Sequence, residues 1–422
     1  MMKYDKYKPS DIEWLGEIPD TWEVKRVKDL GIYQSGEYIN ALDFDEGNSY
    51  PVYGGNNLRG YANRFNTDGN YVLIGRQGAL CGNINYANGK FWATEHCVVV
   101  YHNKKINLKW LGELLRVMNL NQYATSTAQP GLSVDKIKRL ELPFAPFEQQ
   151  PLIAKYLDTK TQAIDKKIDL LTKKSNYYKE LRKSIINNAV CRGLDKNVKL
   201  KDSEYVFSVN ANWTIQRLKD IGYLYSGLSG KSGDDFNQED NPKSKGYIPF
   251  TNIANNTYLK ANHLGLVIIN ENEKQNSVRK GDLFFLMSSE GYEDIGKTAI
   301  LDDEINDTYL NSFCKGFRIT KKSCFPKFIN YLLLSDNYRK SLITEGKGFT
   351  RINLKMEKVT DFIVYLPSSM DEQMRIADYL DQKTQTIDKI QTNIKNQIET
   401  LKELRKTLIN DVVTGKIKVT NS

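Results

Sequence analysis

The sequence predicts an α+β fold: two α/β domains separated by two long helices packed as an antiparallel coiled coil, in a pseudo-two-fold layout. Three observations predict it. A stretch beginning Ile153-Ala154-Lys155-Tyr156-Leu157-Asp158 returns as Ile376-Ala377-Asp378-Tyr379-Leu380-Asp381, and the offset of 223 residues holds without a gap to Val190 and Val413. An apolar residue recurs at every seventh position of both copies. The segments ahead of the copies also match, Trp22-Glu23-Val24-Lys25-Arg26-Val27-Lys28-Asp29-Leu30-Gly31 being answered by Trp213-Thr214-Ile215-Gln216-Arg217-Leu218-Lys219-Asp220-Ile221-Gly222. The order is therefore domain, helix, domain, helix, with boundaries at 1–147, 148–200, 201–366 and 367–422.

Each repeat reads as one long helix. No Gly or Pro falls between Leu152 and Arg192 or between Met370 and Thr414. Pro151 suits a first helical turn, and Gly193 and Gly415 suit helix ends. The seam runs through Leu157, Ile164, Leu171, Tyr178 and Ile185 in the first copy, and Leu380, Ile387, Ile394, Leu401 and Leu408 in the second. Roughly 40 residues at about 1.5 Å each make a rod of about 60 Å. The natural partner of each rod is the other, because both carry the same stripe. A coiled coil that only joins or scaffolds proteins is the alternative reading.

In the first domain Tyr71-Val72-Leu73-Ile74, Asn83-Ile84-Asn85-Tyr86 and Cys97-Val98-Val99-Val100-Tyr101 read as strands, and Leu108 to Met118 as a helix. Tyr53 to Tyr61 is rich in Gly and Asn and reads as an exposed loop. In the second domain Leu283 to Leu286 and Gly316 to Ile319 read as strands, and Pro326 to Leu334 as a helix. Before each domain returns to its long helix comes a polar, Gly-containing loop: Thr125-Ser126-Thr127-Ala128-Gln129-Pro130-Gly131-Leu132 in one, Lys347-Gly348-Phe349-Thr350-Arg351-Ile352-Asn353 in the other.

The net charge of +9 suits a polyanionic partner. No apolar run approaches the 18 residues of a membrane span, and Met1 to Tyr7 is polar, unlike a signal peptide. The five cysteines are scattered, which points to reduced thiols in the cytoplasm and no zinc site. The three histidines show no ligand or triad spacing. Gly291-Tyr292-Glu293-Asp294-Ile295-Gly296-Lys297-Thr298 fits the phosphate-binding P-loop spacing, but Thr298 to Leu301 reads as a strand where that motif needs a helix. The acids near Pro19 to Lys25 are too close together to form a nuclease site, and Asn241-Pro242-Lys243-Ser244 lacks the aromatic residue of an amino-methyltransferase motif. No catalytic constellation remains.

Trp14-Leu15-Gly16-Glu17-Ile18-Pro19-Asp20-Thr21-Trp22, Glu148-Gln149-Gln150 with Ile153-Ala154, and Glu372-Gln373 with Ile376-Ala377 resemble the signatures of type I restriction–modification specificity subunits; Pro151-Leu152 departs from them. The resemblance implies two target-recognition domains, each reading one half of a split double-stranded DNA site, with the helices setting the spacer. It implies a subunit without catalysis of its own. Two modification subunits would bring S-adenosylmethionine for adenine methylation, and restriction subunits would bring ATP and Mg²⁺ chemistry. Amide, Arg and Tyr side chains on Gly-rich loops can reach base edges, although a plain turn surface has the same composition. The expected DNA-binding residues of the first half-site are Tyr53, Asn56, Asn57, Arg59, Arg76, Gln77 and Gln129. Those of the second are Ser288, Ser289, Lys297, Lys347, Thr350, Arg351 and Asn353.

Overall fold

The structure, a computed structural model, describes residues 2–44, 47, 49–125, 130–203, 208–348 and 351–420. The chain forms two compact units. One comprises Met1–Thr172 with Lys395–Ser422, the other Lys173–Ile394, so each unit combines one α/β domain with half of each long helix.

The first unit is built on a four-stranded antiparallel sheet in the order Gly31–Ser35, Cys97–His102, Tyr71–Gly75, Ile84–Ala87. Its two central strands are continuous apolar runs because both faces are covered; Val72, Leu73, Ile74, Val98, Val99 and Val100 are all buried. The helix Leu108–Val117 lays Trp110, Leu111, Leu114 and Leu115 into the same core, and its N-cap Asn107 accepts a hydrogen bond from the Trp110 N–H. A second sheet runs Asn57–Ala62, Tyr50–Gly54, Lys90–Ala93, Thr67–Asp68.

That second sheet corrects the expected loop at Tyr53 to Tyr61. The segment is a β-hairpin in which Gly54 pairs with Asn57 across the two-residue tip Gly55-Asn56. The Gly and Asn residues supply the turn, Asn57 taking φ +75°, while the flanking residues remain in strands. The second strand of the hairpin lies at the sheet edge and is mostly exposed, so it shows no apolar alternation.

The second unit repeats the plan. Its antiparallel sheet runs Gly222–Ser226, Cys314–Ile319, Leu283–Leu286, Thr298–Ile300, beside a smaller sheet of Gly265–Ile268, Ser244–Ile248 and Thr308–Leu310. Helix Pro326–Leu334 stands where Leu108–Val117 stands in the first unit, with Phe328, Ile329, Leu332 and Leu333 buried. Strand Thr298–Ile300 follows Lys297 directly, so the P-loop spacing occurs without the P-loop conformation.

The long helices span Gln149–Arg192 and Met370–Val413, 44 residues each. Both end on a left-handed glycine, Gly193 at φ +86° and Gly415 at φ +80°. Within each unit the two helices pair antiparallel. Asp165 meets Arg405 at 2.9 Å in the first unit, and Arg182 meets Asp388 at 3.5 Å in the second; these are the same pair under the 223-residue repeat. Leu157, Leu380, Ile387, Ile394 and Leu408 are buried, and Ile164, Leu171, Tyr178, Ile185 and Leu401 are half-buried. The other position of each heptad is more polar. In the second unit Ser175 donates to Gln391 Oε1 at 2.6 Å, and Gln391 Nε2 donates back to the Ser175 carbonyl at 2.6 Å.

Candidate nucleic-acid interface

Each α/β domain is bolted to its long helix in the same way. The indole N–H of Trp22 donates to Gln149 at 3.0 Å, and that of Trp213 donates to Glu372 at 3.1 Å. The next residue in each helix is a wholly buried glutamine. Gln150 accepts from the Asn107 N–H at 3.0 Å and donates to the Ala145 carbonyl at 2.8 Å. Gln373 accepts from the Phe325 N–H and donates to the carbonyls of Ser323 and Pro367. Both glutamines therefore tie the first turn of the long helix to the start of the domain's own helix.

On this mount the first domain brings several expected readers together. Strand Tyr71–Gly75 leads into Arg76-Gln77, and Gln77 pairs with Gly131 by an isolated bridge. The hairpin tip lies against the same place: a Cβ on Gly75 would overlap the Gly55 carbonyl oxygen, so only glycine permits the approach. Asn56, Asn57 and Gln77 are exposed, and Asn56 Oδ1 accepts from Asn83 Nδ2 at 2.8 Å. Arg76 is half-buried, with Nη1 donating to Ser35 Oγ at 2.8 Å. Arg59 curls over Gly54 toward the Phe44 ring, its Cζ 5.8 Å from the centroid. Tyr53 is half-buried and packs edge-on to Phe91 with centroids 5.6 Å apart. Burial and the nearby Tyr61 phenol hold the Tyr53 phenol above its ordinary value. Gln129 lies outside the described residues.

The second domain makes the equivalent junction with two short strands. Ser288–Ser289 pairs with Ile352–Asn353, Ser288 opposite Asn353, and Lys347 bridges Asn353. A Cβ on Gly348 would overlap the Arg351 carbonyl oxygen, and its φ of +148° favours glycine as well. Lys347, Arg351 and Asn353 are exposed and Ser288 is half-buried. Ser289 is buried, its Oγ accepting from the Gly291 N–H at 3.3 Å, so it supports the turn. Lys297 is turned inward, donating to Asp294 at 2.5 Å and to the Ala254 carbonyl at 3.2 Å, which neutralises its charge locally. Thr350 lies outside the described residues.

Two further groups join these junctions that linear reading missed. In the first domain the turn ahead of strand Cys97–His102 carries Glu95 and His96, with His96 Nε2 3.0 Å from Glu95 Oε1, and the Arg76 N–H donates to the His96 carbonyl. In the second the turn ahead of Cys314–Ile319 carries Phe313, whose ring lies under Arg351. The shared signal was a polar residue three places before a buried cysteine: Thr94 before Cys97, Asn311 before Cys314. Among the described residues no cluster of His, Cys, Asp or Glu could hold a metal ion. Also among them, no helix is long and apolar enough to cross a membrane.

The family model for the type I restriction modification DNA specificity domain matches residues 19–176 and again 210–400, most of the chain and once per domain–helix pair. The EcoprrI specificity subunit of Escherichia coli is 41% identical over 160 residues, 37% of this chain, so the match spans only 38% of that relative's length. The MjaVIII specificity subunit of Methanocaldococcus jannaschii is 22% identical over 421 residues, covering 96% of this chain and 95% of that one. A chain from a structural study of type I system assembly and conformational transition matches with a TM-score of 0.71 at 15% identity, over 95% of this chain and 99% of that one. The HsdS subunit from Thermoanaerobacter tengcongensis matches with a TM-score of 0.52 at 15% identity, over 95% and 98%. At that identity the structural likeness shows a shared fold, and the sequence match decides the family. The chain belongs to the type I restriction–modification DNA specificity family.

Proposed function

We propose that this subunit reads a bipartite double-stranded DNA site, one half per recognition domain, and directs adenine methylation or restriction by partner subunits. The observation that carries the reading is one framework bearing two different sets of side chains. Asn56, Asn57, Arg76 and Gln77 occupy the junction in the first domain; Ser288, Lys347, Arg351 and Asn353 occupy it in the second. A shared scaffold with unlike tips suits two unlike half-sites. The paired helices act as the spacer, so the separation of the half-sites is geometric. The chain itself is non-catalytic in this reading and works in the cytoplasm. Two modification subunits supply S-adenosylmethionine chemistry, and restriction subunits supply ATP- and Mg²⁺-dependent translocation and cleavage.

The test is methylome sequencing of a host carrying the full chain with its modification subunits. Arg76→Ala is expected to relax bases in one half-site only, and Asn353→Ala in the other only. Changes in both halves from either variant, or in neither from both, would remove the one-domain-per-half assignment. Binding of the complex should also weaken steeply with salt and depend on sequence; a complex that assembles but binds all duplexes alike would favour a scaffold.

A further inference from the structure

Two separate segments of the second recognition domain converge on Arg351. Its guanidinium Cζ lies 5.3 Å from the centroid of the Phe313 ring. Its Nη2 lies 4.0 Å from Glu290 Oε1. Arg351 immediately precedes strand Ile352–Asn353, and Glu290 immediately follows its partner strand Ser288–Ser289, so the pairing of those strands sets the two side chains beside each other. Phe313 comes from below, on a turn closed by the Phe313 N–H donating to Asn311 Oδ1 at 2.9 Å and the Cys314 N–H donating to the Asn311 carbonyl at 3.1 Å.

The turn needs Asn311 and the buried Cys314; it does not need an aromatic ring between them. Phe313 is 54% exposed, so hydrophobic burial alone gives a poor account of it. What its ring does offer is a flat, electron-rich face for a guanidinium. An arginine laid on that face, with the exposed Glu290 carboxylate 4.0 Å to its side, is biased toward one orientation before any ligand arrives. It then presents a planar fork of N–H donors, the geometry that matches O6 and N7 of guanine in the major groove.

We propose that Phe313 is a specificity-determining positioning residue: it holds Arg351 for bidentate contact with a guanine in the half-site read by the second domain. The proposal rests on the DNA-reading function above. The first domain carries a different set at the same place. Its turn presents His96, with the His96 N–H donating to Thr94 Oγ1 at 3.3 Å, and the bridge across the junction joins Gln77 to Gly131. The first domain's own arginine–aromatic contact, Arg59 over Phe44, lies on the hairpin and not at this turn.

The experiment uses the full chain assembled with its modification subunits. It combines methylome sequencing with competition binding against duplexes altered one base pair at a time. The second half-site should contain a guanine whose replacement is penalised. Arg351→Ala should reduce that discrimination by about ten- to hundredfold. Phe313→Ala and Phe313→Leu should reduce it several-fold at the same base pair and nowhere else, and Phe313→Trp should retain it. Leucine preserves apolar bulk, so it separates loss of the ring face from loss of folding; thermal melts of each complex confirm the fold. The proposal is overturned if Phe313→Leu discriminates as well as the parent while Arg351→Ala does not, or if Phe313→Trp behaves like Phe313→Leu. It is also overturned if Arg351→Ala is silent while Asn353→Ala alters the motif, an outcome that leaves the DNA-reading function standing. Methylation with no motif at all would remove the DNA-reading function itself.

Discussion

The buried glutamine at the start of each long helix makes a quantitative prediction. Leucine at Gln150 or Gln373 keeps most of the volume and removes the hydrogen bonds. Gln150→Leu removes the partner of two backbone groups, the half-buried Asn107 N–H and the buried Ala145 carbonyl. Gln373→Leu removes the partner of the half-buried Phe325 N–H, of the buried Pro367 carbonyl and of the carbonyl of exposed Ser323, the last of which water can satisfy. At about 1–2 kcal/mol for each unsatisfied group, the expected cost is about 2–4 kcal/mol in either unit. A loss of 3 kcal/mol lowers the melting midpoint of a unit of about 200 residues by about 6–12 °C. Urea unfolding followed by tryptophan emission separates the units. Trp213 is the single tryptophan of the second, whereas Trp14, Trp22, Trp92 and Trp110 belong to the first. The reasoning fails if either substitution costs under about 1 kcal/mol.

Other consequences are open to measurement. Asp282 is buried beneath Arg318 at 2.6 Å and Tyr225 at 2.6 Å; Asp282→Ala should destabilise the second unit by about 3–5 kcal/mol, and a change below 1 kcal/mol in its denaturation midpoint analysis would contradict that. Burial holds the His102 imidazole below its ordinary 6.5. The unfolded chain then takes up this proton first, so stability is complete above about pH 6.5 and is lost as pH falls toward the folded value. His102→Gln should flatten the stability profile of the first unit between pH 7 and 5.5, and an unchanged slope would assign the dependence elsewhere. Removing one heptad from each long helix, residues 168–174 and 394–400, shortens the proposed spacer by about 10 Å, or about three base pairs. Methylome sequencing should report the same half-sites at a new spacing; altered half-site letters would defeat the ruler.

The long helices were legible because two independent patterns agree there, a seven-residue apolar period and an absence of Gly and Pro over about 40 residues. The central strands were legible because burial on both faces makes them continuous apolar runs. The hairpin at Tyr50–Ala62 was not, because its outer strand is an exposed edge whose side chains carry no period. Only part of the helix seam was visible, since six of the ten alternate positions hold Thr161, Ser175, Arg182, Thr384, Gln391 and Arg405, which look like surface residues in a linear sequence and interrupt the apolar period that Ile168 and Ile398 would continue. Arg76-Gln77 and the loop from Thr125 to Leu132 were both named from sequence, and the adjacency of Gln77 and Gly131 comes from a bridge across 54 positions. Glu95, His96 and Phe313 escaped for the same reason. They join the junction through a turn, and a turn's neighbours are set by the sheet beneath it.

The polar layer between Ser175 and Gln391 has a consequence for partner choice. A chain that contains the same helix twice risks pairing either copy with itself on another molecule. Under the 223-residue repeat, the position matching Ser175 is Ile398 and that matching Gln391 is Ile168. If two first copies paired antiparallel in the observed register, Ser175 would face Ile168; in two second copies, Gln391 would face Ile398. Either homotypic pair strands polar groups against isoleucine, whereas pairing first copy with second joins serine to glutamine and leaves isoleucine opposite isoleucine. A single layer of mismatched chemistry thus favours pairing of a first copy with a second copy over pairing of either with its twin in a neighbour.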